Sequence, residues 1–79
     1  SRGEYNNAIN HYLLIIKFLP QYGVYYYQLA QVYALTKNYF LAKEFAAQAV
    51  KKNFPLQVIK DDSLFDPVFK KFPELNNVK

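Results

Sequence analysis

The feature that most restricts this chain is a recurrence of residue types at an offset of 34 positions. Tyr5 falls on Tyr39, Ala8 on Ala42, Ile16 on Val50 and Lys17 on Lys51, and the aromatic-or-small site Tyr12 falls on Ala46. A step of that size marks stacked supersecondary units, each too small to bury its own apolar face. At 79 residues, the chain has room for one domain and little more than two such steps.

Within the step, the apolar spacing is helical. Tyr5, Ala8, Ile9, Tyr12, Leu13, Ile15, Ile16 and Leu19 follow the i, i+3, i+4, i+7 rule, which predicts a helix with a wide buried face. Pro20 ends it, since proline lacks the N–H and its ring clashes with the preceding turn. The next periodic stretch, Val24 to Thr36, turns Tyr25, Tyr26, Leu29, Ala30, Val32 and Tyr33 inward. β-Propensity alone would read Val24–Tyr27 as strand. The helical spacing persists for three turns, so helix is expected. Asn38 is an N-cap residue for a third helix, Tyr39 to Lys52, with Ala42, Phe45, Ala46 and Ala49 as its inner face. Asn53–Phe54–Pro55 closes that helix. Beyond it, Leu56–Asp61, Asp66–Pro67 and Phe72–Pro73 predict a run of short helical turns, with Asp66 as N-cap and proline at the first helical position.

The middle of the chain reads Tyr26-x2-Leu29-Ala30-x2-Tyr33 … Ala42-x3-Ala46, preceded by Ala8-x3-Tyr12 … Pro20. This resembles the tetratricopeptide repeat (TPR) pattern, W-x2-L-G-x2-Y … A-x3-F … P with a 34-residue period, over residues 3–55. Tyr replaces Trp at Tyr26, Ala replaces Gly at Ala30, Ala replaces Phe at Ala46, and Pro55 falls one residue late. Aromatic stays aromatic and small stays small at the first two sites. The resemblance implies an all-α fold of antiparallel helix hairpins, an α-solenoid fragment with short C-terminal capping helices. Residues 1–19 would be the second helix of an incomplete repeat, 23–53 one full repeat, and 54–79 the cap. Leu64, Phe65, Val68, Phe69, Phe72 and Leu75 would supply the inner side of that cap. Together with the absence of Met, start residue included, this suggests a processed chain or an excised C-terminal end of an array.

Composition removes several function classes. Half the residues are apolar (52%), which is too many for a disordered tail. There is no Cys and a single His, so thiol chemistry, disulfides and multi-His metal sites are excluded. The longest apolar run, Tyr12–Ile16, is far short of a membrane span. The net charge is +4, carried by residues 1–52, because residues 53–79 balance to zero. That excess is too sparse for a stripe that tracks phosphates. Tyr25, Tyr26 and Tyr27 are consecutive and point in three directions on a helix, so they form no base-stacking platform. Nucleic-acid binding is therefore a minor alternative.

No constellation for chemistry emerges. His11 sits between inward-facing positions with no acid or nucleophile one helical turn away. Asp61, Asp62 and Asp66 do not match a calcium-loop spacing and read better as caps of short helices. Gly3 and Gly23 form no phosphate cradle. The expectation is a chain that is not an enzyme, needs no cofactor and takes no small-molecule substrate. Its expected function is protein or peptide recognition, or scaffolding within a larger protein. The alternative is a structural cap or regulatory appendage that docks on an enzyme domain of the same chain. Self-association through the N-terminal face is a further alternative. TPR proteins bind partners along the first helix of each repeat. Carried over, that implies a binding surface of Val24, Tyr27, Gln28, Gln31 and Leu35, a rigid aromatic with amide hydrogen-bonding groups.

Overall fold

The computed structural model describes residues 1–79 and is entirely helical. Five α-helices, α1 (Arg2–Phe18), α2 (Gly23–Leu35), α3 (Tyr39–Lys51), α4 (Leu56–Asp61) and α5 (Asp66–Lys71), are joined by short turns. The α4–α5 turn, Ser63–Phe65, is 3-10 helical, and a second 3-10 turn, Pro73–Asn77, follows α5. The stretch Val24–Tyr27 lies in α2, so periodicity outweighs β-propensity there.

α1 begins earlier than the apolar spacing predicts. Ser1 and Glu4 form a reciprocal capping box around its first turn. It ends at Phe18, with Leu19 as its C-cap just before Pro20. The Tyr26 hydroxyl donates to the Pro20 carbonyl at 3.0 Å and ties the start of α2 back to this loop. Between α2 and α3 the turn is tight. Lys37 adopts a left-handed backbone (φ 63°), and the Asn38 side chain accepts from the Leu41 N–H, capping α3. Asn53 takes the same left-handed role after α3 (φ 70°), a position asparagine tolerates well.

α2 and α3 are nested. Ala30, Ala42, Ala46 and Ala49 have no solvent exposure, and Tyr26 and Leu29 on α2 are buried too. Small side chains at the crossing let the helix axes approach, while the larger ones fill the remaining space. Ala34, which the inner-face pattern omits, is buried as well.

The tail folds back onto this pair. α5 and the final 3-10 turn lie on α3, and the Ser63–Phe65 turn lies on α2. Ile59, Phe65, Val68 and Leu75 are fully buried and share one core with Ala30, Ala34, Ala42 and Ala46. Leu64, Phe69 and Phe72 border it half-buried, as the sequence implies. Asp66 departs from its expected role. It is the first residue of α5 rather than the N-cap, which is Phe65, and its acid stands in the first turn beside Pro67. Near the end of the tail, the Lys43 ammonium lies over the rings of Phe40 (4.6 Å) and Phe72 (5.0 Å), a cation–π bridge from α3 to the tail.

α1 differs from the rest, because none of its residues is buried. Tyr5, Ala8, Ile9, Tyr12, Ile15 and Ile16 are half-buried toward α2, and Leu13, Leu14 and Phe18 are exposed.

Candidate functional site

The five residues of the expected binding surface all lie on α2, but in two different environments. Val24, Gln28 and Leu35, spaced by four and then seven residues, lie on one side of the helix. Val24 and Leu35 are exposed and Gln28 is half-buried. Tyr27 and Gln31, four residues apart, face the tail.

Tyr27 stacks with two rings. Phe54 stacks on it at 4.5 Å and Phe65 at 5.8 Å, with planes tilted by 21° and 22°. Its hydroxyl donates to Asp62 Oδ2 at 2.6 Å, and Gln31 Nε2 donates to the same oxygen at 3.0 Å. The other oxygen, Oδ1, accepts from the Leu64 N–H at 3.0 Å and caps the Ser63–Phe65 turn. One carboxylate thus takes three hydrogen bonds, two from α2 and one from its own loop. Such charge-assisted bonds are stronger than neutral ones.

The titration behaviour follows from this packing. Burial by itself would raise the Asp62 carboxyl, but the bonds from Tyr27, Gln31 and the Leu64 N–H outweigh it and hold the group below the usual carboxylate range. The Tyr27 hydroxyl moves the other way. Burial, then its bond to Asp62 and the negative charge there, push it up to about 12 against a smaller opposing effect of Gln31.

Both shifts imply pH-dependent stability. The folded protein holds the Asp62 proton less tightly than the unfolded chain does. Its contribution is therefore complete above the ordinary Asp value of about 3.9 and is lost as pH falls through the lowered one. The folded protein holds the Tyr27 proton more tightly, so that contribution is complete below about pH 10 and is lost as pH rises toward 12. Asp62→Asn should flatten the acid limb and Tyr27→Phe the alkaline limb of a chemical-denaturation series run across pH. Unaltered limbs would mean that the cluster contributes nothing to folding.

Asp62 was legible only as a cap. Its link to Tyr27 and Gln31 spans 35 and 31 residues, and no local pattern encodes it. No three His, Cys, Asp or Glu side chains come together in a way that could hold a metal ion. His11 is exposed, with its ring edge-to-face with Tyr12 at 5.8 Å between centroids. No helix is long and apolar enough to cross a membrane.

The arrangement defines a class: a small, wholly helical domain whose central helix presents aromatic and amide groups on one face, partly closed by its own tail. In comparisons with known proteins, no family model, curated protein or solved structure matches the chain.

Proposed function

We propose that this chain is a non-catalytic, TPR-like recognition module that binds a protein or peptide segment along α2. The observation that carries the reading is the cluster at Asp62. There α2 holds a short stretch of chain, Asp62 to Phe65, by ring stacking on Tyr27 and by hydrogen bonds from Tyr27 and Gln31. A phenol and amides fixed on a rigid helix suit a segment that offers acceptors and an aromatic side chain. Alongside it, Val24, Gln28 and Leu35 remain available to a partner. The burial of Tyr26, Leu29, Ala30, Ala42 and Ala46 is also what the repeat pattern requires of a nested hairpin.

Because Tyr27 and Gln31 are engaged by the tail, the clean test uses the open residues. A peptide-library titration of the labelled chain should move the amide signals of Val24, Gln28 and Leu35. The double variant Gln28→Ala/Leu35→Ala should weaken the best peptide about ten-fold, or ~1.4 kcal/mol, with the melting temperature kept. Shifts clustered away from α2, or undiminished affinity in the double variant, would remove the reading.

A second reading, a purely structural cap, draws on a different observation. Ile59, Phe65, Val68 and Leu75 are sealed against α2 and α3 with no exposure, as expected of a segment that ends a stack. A chain that unfolds cooperatively but binds no library peptide would favour the cap.

A further inference from the structure

Away from the tail, the N-terminal half of α1 and the α2–α3 turn bound a cleft of about 490 Å³. That volume is within the range of small-molecule pockets. Its α1 wall is a single helix face, Arg2, Tyr5, Asn6 and Ile9, at i, i+3, i+4 and i+7. Tyr33 and Asn38 line the opposite wall.

The lining is rich in donors and holds no acid. The side chains of Arg2, Tyr5, Asn6 and Tyr33 make no hydrogen bond within the protein, whereas Glu4, the one acid of α1, is taken up in the capping box with Ser1. Asn38 uses its carbonyl oxygen to cap α3, which leaves its NH2 group to donate. The Tyr33 hydroxyl, like any phenol, is a protonated donor at neutral pH. Ile9 and the rings of Tyr5 and Tyr33 provide apolar contact beneath these groups. Arg2 is the one charged side chain of the lining.

From this we infer that the cleft is a binding site, distinct from the α2 face, for a carboxylate carried on an apolar body. Arg2 would receive the carboxylate in its planar fork, with the Asn38 amide and the tyrosine hydroxyls as further donors. The apolar body would lie on Ile9 and the two rings. An uncharged isostere would lack the anionic oxygens that complement Arg2.

The test is a titration of the isotope-labelled full chain with three probes: N-acetylphenylalanine, its carboxamide, and the tetrapeptide acetyl-Ala-Ala-Ala-Phe with a free C-terminus. The free acid should shift the backbone signals of Tyr33, Thr36 and Asn38, and the carboxamide should bind at least ten-fold more weakly. Equal affinity for the acid and the tetrapeptide would assign a free organic acid, and tighter tetrapeptide binding would assign a peptide end. Asn38→Asp keeps the capping oxygen but replaces the donor with a negative charge, so it should abolish binding without changing the melting temperature. Arg2→Gln, on an exposed side chain, should weaken binding at least five-fold and serves if Asn38→Asp folds poorly. Equal binding of acid and carboxamide, shifts confined to other regions, or a folded Asn38→Asp that binds normally would each overturn the inference.

Discussion

Phe65→Ala is expected to be the most damaging single truncation in this chain, at about 3–5 kcal/mol. Phe65 is the largest side chain with no exposure, and it joins the tail to α2. Its removal forfeits the transfer energy of the ring, leaves a cavity in the core it shares with Ala30 and Ala34, and takes away one of the two rings stacked with Tyr27. Small domains have only about 5–15 kcal/mol in total. The variant should therefore sit near the edge of folding, with its midpoint in urea sharply lowered. Limited proteolysis should then cut first after Asn53. A loss below ~1 kcal/mol would mean that the tail is not sealed onto the helix pair in solution.

Gly23→Ala comes next, with an expected loss of about 1–3 kcal/mol. Elsewhere in a helix this exchange is favourable by up to ~1 kcal/mol, because alanine loses less backbone freedom on folding. At Gly23 the added methyl would stand 2.7 Å from the Ala49 carbonyl oxygen, 3.0 Å from the Lys52 carbonyl oxygen and 3.0 Å from the Phe54 Cβ. Two of these are backbone atoms at the end of α3, which cannot swing aside as a side chain does. The start of α2 would have to move away from the end of α3. Gly3→Ala supplies the control, since its methyl would meet nothing closer than the Ser1 hydroxyl at 4.0 Å. Paired thermal melts should show opposite signs for the two exchanges. A stabilised Gly23→Ala would show that the helix ends are further apart than described.

The sequence disclosed the helices because their side chains alternate on a period that only a helix can satisfy. Tyr26, Leu29, Ala30, Ala42, Ala46 and Ala49 could be assigned to the interior from that spacing alone. The apolar residues of the tail could be assigned to a cap because Asp-Pro and Phe-Pro steps leave only brief turns between them. Two things escape a reading by apolar period. The box formed by Ser1 and Glu4 starts α1 before its first apolar position, so a reading based on hydrophobic period begins too late. More importantly for function, Asp62 reaches across to Tyr27 and Gln31. Side-chain contacts between distant elements depend on how the tail folds back, which local spacing does not specify. The same limit applies to the cleft, whose walls come from opposite ends of two helices.

Where α1 rests on α2, none of its own residues is sealed from water, and it has no part in the interior shared by the helix pair and the tail. Cooperativity is therefore uneven across the molecule. The helix pair and the tail share one interior and must come apart together, whereas the first helix can peel away at much smaller cost. Any ligand that grips both sides of the gap beneath it would act as a latch, converting a loosely attached arm into part of the rigid body.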